Sequence, residues 1–311
     1  MCSYSFSLPH AGHGVIWTGP STLAIFDREA RGLFEFGLRP DSRLFPIVSF
    51  CASSQGKPGK TTARVLEHVV AERGRVVVFR EGLHDLWVLR ESSRARTLGC
   101  VGSFYELRGL SPSGRYLTVS TSSGMLVVDT MKDRVLTRVE NCNALKVLED
   151  DLNRCVMVYA DDANHVRVIR NDTERASLLM HVEGDAMRIA GIDARFSPNG
   201  DDVEIAVLFS KIDEDSLAAR TRILRFLYQE TNAAILPRDI PKEFPHMAYD
   251  VRILPNGKLA IFWAHLDAYL LQIGTQERTY PRSRIPPAIR GDLVAWIDDD
   301  ALLRIQRVPI A

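Results

Sequence analysis

Hydrophobic and polar positions along this chain alternate with a two-residue period in short runs, and turn residues interrupt each run after a few positions. The clearest example is "LRGLSPSGRYLTVSTSSGMLVVDTMKDRVLTRVE", residues 107 to 140. It reads as a Ser-Pro-x-Gly turn, an alternating strand, a Gly turn, an apolar strand ending in Asp129, and a return strand. The phrase recurs as "RFSPNGDDVEIAVLF" around Pro198 and as "RILPNGKLAIFWAH" around Pro255. The turn glycine Gly114 has counterparts at Gly74, Gly200 and Gly257, and Asn153 stands in the same place in "EDDLNRCVMVYA".

This template yields seven strand pairs along the chain. They are "TLAIFD" with "GLFEFGL", "RVVVFRE" with "DLWVLRE", "YLTVST" with "MLVVDT", "CVMVYA" with "VRVIRN", "EIAVLFS" with "RILRFLY", "LAIFWAH" with "YLLQIG", and "LVAWID" with "LLRIQRV". Units of about 40 residues, each a small antiparallel meander, predict an all-β chain: a seven-bladed β-propeller forming one domain over residues 1–311. The last unit is short by an outer strand, and "CSYSFSLP" at residues 2 to 9 alternates like one. The N-terminal strand is therefore expected to complete the last unit.

Residues 107 to 140 resemble a blade of the WD-repeat and YVTN families, with "SPSGRYLTVSTSSGMLVVDTMKDRVL" matching turn, strand, Gly turn, apolar strand, Asp and return strand. This unit departs from the WD-repeat motif in lacking its Gly-His and Trp-Asp dipeptides, and only Asp129 occupies the place of that family's terminal Asp. The resemblance implies four strands per blade running outward, so that the loop between second and third strands and the links between blades open on one face.

Composition narrows the function. Of 311 residues, 39 are Lys or Arg and 39 are Asp or Glu, so no global field recruits nucleic acid or anionic lipid. The basic stretches "RESSRARTLGC" and "TYPRSRIPPAIR" lack an aromatic ladder and read as a solvated rim, which disfavours nucleic acid as a partner. No run approaches the roughly 18 to 20 apolar residues of a membrane span. The N-terminus has no basic leader followed by an apolar block. A cytoplasmic protein without a membrane partner is expected. Cys2, Cys51, Cys100, Cys142 and Cys155 include no Cys-x-x-Cys pair and indicate neither a disulfide frame nor a zinc knuckle.

"SSQGKPGKTTARV", residues 53 to 65, imitates a phosphate-binding loop, and with its flanks it looks like the first unit of partition-type ATPases. Gly59, Lys60 and Thr61 would supply the second half of the motif. The first glycine of the motif falls on Ser54, however, Lys57 replaces the second glycine of the partition-type loop, and Pro58 removes a backbone donor. The repeat spacing makes "ARVLEHVVAERG" the inner strand of the second unit, and residues 51 to 63 an enlarged link between the first two units.

Candidate binding residues follow from the assignment of loops to one face. Acidic groups fill the loops of the later units: Asp161 and Asp162; Asp213, Glu214 and Asp215 within the longest loop, residues 211 to 220; Asp267; and Asp298, Asp299 and Asp300. Lys57 and Lys60 make the early side basic. The expectation is a surface that receives a basic segment of a protein partner, set against the plainer reading that aspartates in tight turns bond their own backbone. His68, His165, His181 and His265 lie in or beside strands, and Trp17, Trp87, Trp263 and Trp296 within them, where packing explains both sets. No His-x-His, His-Glu-x-x-His or Gly-x-Ser-x-Gly occurs, so neither a catalytic set nor a cofactor or metal is assigned. The expected function is a non-enzymatic protein–protein interaction scaffold, one subunit of a larger complex. The alternatives are a metal-assisted hydrolase or lactonase, and a nucleotide-binding protein using Lys60 and Thr61.

Overall fold

The computed structural model describes residues 3–7, 15–19, 21–27, 32–38, 44–51, 65–71, 75–81, 85–91, 95–149, 155–170, 173–180, 187–198, 200–212, 219–238, 242–244, 248–254, 257–265, 268–273, 276–281, 288–290, 293–298 and 302–307. Among them every regular element is a strand. After β1 (Ser3–Ser7), the first sheet holds β2 (Val15–Gly19), β3 (Thr22–Asp27), β4 (Gly32–Leu38) and β5 (Leu44–Cys51). The second holds β6 (Val65–Val70), β7 (Val76–Glu81), β8 (Asp85–Arg90) and β9 (Arg96–Thr97), and the third β10 (Glu106–Leu110), β11 (Tyr116–Thr121), β12 (Gly124–Asp129) and β13 (Arg134–Glu140). The fourth is built of β14 (Cys142–Glu149), β15 (Cys155–Asp161), β16 (His165–Arg170) and β17 (Thr173–Leu179). The fifth contains β18 (Arg188–Phe196), β19 (Val203–Ile212), β20 (Ala219–Gln229) and β21 (Ala234–Pro237), with β22 (Lys242–Phe244) on β20 as well. The sixth runs β23 (Ala248–Ile253), β24 (Leu259–His265), β25 (Ala268–Ile273), β26 (Gln276–Pro281). In the seventh, β27 (Ala288–Arg290), β28 (Leu293–Ile297) and β29 (Leu302–Arg307) are joined by β1.

All seven strand pairs read from the sequence are present as antiparallel neighbours at the centre of these sheets. β1 pairs with β29 from Ser3 opposite Gln306 to Ser7 opposite Leu302, so the N-terminal strand does complete the last sheet. The segment after the Gly-Lys-Thr-Thr run is strand β6, antiparallel to β7, where a nucleotide-binding unit would have needed a helix.

Why these residues form these sheets is visible in their burial. Central strands such as β7 and β19 are apolar at successive positions because both faces are covered; Val203 to Phe209 is buried almost throughout. Fully burying one such Val, Leu or Phe contributes about 1.5–3 kcal/mol. The turn before the second strand recurs with the same two kinds of backbone bond, one residue tighter in the copy that starts at Leu254. The Ser111 amide donates to Tyr116 O (2.8 Å) and Gly114 N to Ser111 O (2.8 Å); Ser197, Gly200 and Asp202 repeat the pattern, as do Leu254, Gly257 and Lys258. Gly114 and Gly257 have φ near +80° (77° and 80°), a conformation that L side chains rarely adopt. In the second sheet Ala71 N donates to Val76 O (2.8 Å), the same five-residue separation as Ser111 to Tyr116.

A further repeat concerns the first strands. β2, β6, β10, β14, β18 and β23 each shift register by one residue against their partners, between Trp17 and Gly19, Val65 and Glu67, Leu107 and Gly109, Cys142 and Ala144, Ile189 and Gly191, and Ala248 and Asp250. Such bulges increase local twist and re-aim the strand.

The chain divides into two compact units, one of Met1–Thr121, Val127–Leu136 and Pro281–Ala311, the other of Ser122–Leu126 and Thr137–Tyr280. Within the first, Trp17 packs with Ala288, Ala295 and Ile305, joining the first and seventh sheets, and its Nε1 donates to Ala288 O (3.2 Å). Phe26 and Leu33 pack with Val77, Phe79 and Trp87 of the second sheet. Both tryptophans therefore pack between sheets, as expected, and His68 lies on the Phe26 ring at 4.6 Å as a packed imidazole. Within the second unit β14 packs on β18 and β18 on β23. There Asp193 joins three first strands, accepting from Ile253 N (2.7 Å) and meeting Lys146 Nζ (2.9 Å).

Candidate partner-binding turns

The acidic turns form where a central strand ends and its carboxylate folds back on the turn it begins. Asp161 closes β15. Its Oδ1 accepts from Ala163 N (3.1 Å) and His165 N (2.8 Å), while its Oδ2 accepts from Arg167 Nε (3.0 Å) on β16. Asn164 takes φ +60° to complete the reversal. Burial works to raise the Asp161 carboxyl, but the His165 amide and the bond and charge of Arg167 outweigh it and hold the group below its ordinary range. Asp298 repeats the arrangement after β28, accepting from Leu302 N (2.9 Å) and Arg304 Nε (2.6 Å). In both turns the amide lies four residues and the arginine six residues after the aspartate.

Asp162 stands exposed beside this turn, and its Oδ1 accepts from Asn143 Nδ2 at the start of β14. Of the proposed binding residues, Asp161, Asp162 and Asp298 are thus placed, two of them half-buried with carboxylates committed to their own turns. Lys57, Lys60, Asp213, Glu214, Asp215, Asp267 and Asp299 lie outside the described residues, as does Asp300. The longest loop is shorter than the sequence indicates. β19 and β20 continue pairing to Lys211 opposite Arg220 and Ile212 opposite Ala219, which leaves residues 213–218 as the connection.

A second kind of turn joins third to fourth strands. Asp129, fully buried at the end of β12, accepts from Met131 N (2.9 Å) and Lys132 N (3.1 Å) and from Arg115 Nη2 (3.3 Å). It has the place of the terminal Asp in the resemblance, and it acts as a turn cap. Asp133, at φ +48°, accepts from Gly99 N and Cys100 N, both at 3.1 Å. Burial and the hydrogen bond to Asp133 push the Cys100 thiol up to about 12, so it stays protonated at neutral pH. Arg96, from the stretch read as a solvated rim, donates to Thr130 O and Met131 O and fastens the same turn.

Among the described residues no group of three or more His, Cys, Asp or Glu is placed to hold a metal ion, and no helix is long and apolar enough to cross a membrane. No protein-family model matches the chain, and no curated protein shows significant similarity to it. Sequence reasoning missed the turn-capping pair. "DDANHVR" from Asp161 and "DDDALLR" from Asp298 share an Asp six residues before an Arg, and that spacing was available as the signal.

Proposed function

We propose that the seven sheets are the blades of a β-propeller and that the chain is a non-enzymatic docking module for a protein partner. The pairing of β1 with β29 supports the ring, because it places the two ends of the chain in one sheet. Six bulged first strands support a common way of facing an axis. The observation that carries the docking reading is the pre-organisation of the turns: Asp161 and Asp298 build the same closed turn in two different sheets, and Asp162 is presented beside one of them. Turns fixed by their own bonds hold side chains for a partner at small entropic cost. Asp162, with Asp213, Glu214, Asp215, Asp267 and Asp299, would receive a basic segment, while Asp161 and Asp298 hold their turns closed and Lys57 and Lys60 make the early part of the sequence basic. The test is affinity isolation from the native cell with the wild-type chain and with Asp213→Asn, Glu214→Gln and Asp215→Asn combined. Loss of a partner carrying a basic segment is expected; an unchanged set of partners rules the acidic surface out.

A further inference from the structure

We propose that the turn joining β12 to β13 is a docking knob for an acidic, apolar-studded segment of a partner protein. The large hydrophobic side chains exposed among the described residues are Tyr105, Met131, Val135, Leu179 and Leu236, and of these only Met131 (54% exposed), in the turn, and Val135 (40%), at the second position of β13, are close in sequence. Between them stand Lys132 and Arg134, with Lys132 and Arg134 both exposed. Apolar groups clustered in solvent mark an interaction site more than single ones do, and methionine is a side chain that adapts to varied partners.

Rigidity sets this turn apart from a solvated loop. Its backbone is held from both sides: Asp129 caps the amides of Met131 and Lys132, Arg96 binds the carbonyls of Thr130 and Met131, and Thr130 N donates to Arg115 O (2.7 Å). Asp133 anchors the turn to the amides of Gly99 and Cys100. Little conformational freedom remains to be lost on binding.

Charge selects the occupant. Asp129 spends its carboxylate on the amides of Met131 and Lys132 and on Arg115, and Asp133 on the amides of Gly99 and Cys100, whereas Lys132 and Arg134 are exposed. Nearby, Arg90 donates to Thr130 Oγ1 (2.6 Å), and a second cation, Arg96, lies close enough to repel it. A segment alternating acidic and apolar residues satisfies both halves of the knob, since its carboxylates meet the cations while its side chains cover Met131 and Val135. The residues are separate from the acidic turns, so this surface stands or falls independently of them.

The test pans a random ten-residue peptide library, displayed on phage, against the wild-type chain and against Lys132→Glu/Arg134→Glu. Peptides rich in Asp and Glu with interspersed apolar residues are expected on the wild type and not on the variant. A fluorescent copy of the leading peptide should bind about tenfold more weakly to the charge-reversed chain and several-fold more weakly to Met131→Ser/Val135→Thr. Melting temperatures of both variants should match the wild type, because the altered groups are exposed. Absence of enrichment, enrichment without acidic bias, the same peptides on both proteins, or capture of a single-stranded oligonucleotide in place of peptide would each overturn the proposal.

Discussion

Asp161 and Asp298 solve the same local problem with the same atoms. A reversal after a central strand leaves backbone amides without ladder partners, and an ionised carboxylate at the strand end satisfies them while an arginine two residues into the next strand balances its charge. The plainer reading of turn aspartates is therefore true of these two residues, and only Asp162 of the described acidic set remains exposed. Glycine shows the steric side of turn formation. A Cβ on Gly124, at φ +140°, would stand 2.1 Å from Val139 O, whereas on Gly200, at φ +107°, it would meet open space. Gly200→Ala should cost only the backbone preference, about 1 kcal/mol, and Gly124→Ala roughly 3 kcal/mol or more because a backbone oxygen must move. Urea unfolding of the two variants gives the comparison, and equal costs would mean that the Gly124 turn opens freely.

At the scale of elements, the central strand pairs were legible because burial of both faces forces continuous apolar runs bounded by turn residues, as in "RVVVFRE" and "EIAVLFS". Outer strands were harder to read, since one edge faces solvent and composition relaxes there. β9 keeps only Arg96 and Thr97 in its ladder, and the outer edge of β20 is covered by two pieces, β21 and β22, separated by residues that include Pro241. The outer strands that sequence placed are β13, the return strand of the clearest unit, and β1, whose alternation matched the strand missing from the last unit. Removal of β1 tests the element directly. Deleting residues 1–8 leaves the edge of β29 unpaired beside the fully buried Leu303 and Ile305. A fall in melting temperature on the order of 5 °C, with concentration-dependent association, is expected by calorimetry. A synthetic peptide of residues 1–10 should restore much of the loss. An unchanged melt would show that the β1 pairing contributes nothing to the fold.

At the scale of the whole molecule, carboxyls held below their ordinary range bear on stability in acid, and among the described residues they are unevenly shared between the two compact units. In the second unit burial acts to raise Asp161, Glu204 and Glu230, yet each ends below its ordinary range: Asp161 through His165 N and Arg167, Glu204 through Arg238 and Arg195, and Glu230 through the Tyr228 hydroxyl and Arg170. In the first unit Asp133 is lowered despite burial by the Cys100 thiol and the Gly99 and Cys100 amides, while Glu67 is raised, chiefly by burial, against the Leu107 amide and Arg80. A carboxyl with a depressed folded pKa stabilises the fold above the ordinary carboxylate value of about 4, and that stabilisation is lost as pH falls through the folded value. A raised carboxyl works in the opposite sense and favours the fold as it takes up its proton. Acidification from about pH 5 to about pH 2 therefore weakens the second unit at three of these carboxylates, and the first at one, with Glu67 working against the loss. Glu204 should dominate, since its side chain is only 7% exposed and both Arg195 and Arg238 lean on its charge. Hydrogen exchange near pH 3 is expected to show the amides of β15, β16, β19 and β20 losing protection before those of β7, β8 and β11. Glu204→Gln should reduce the difference in second-unit protection between neutral and acid solution, because the variant has no proton to gain there. Simultaneous loss throughout the chain, or earlier loss in β7 and β8, would mean that these ion pairs do not govern acid unfolding.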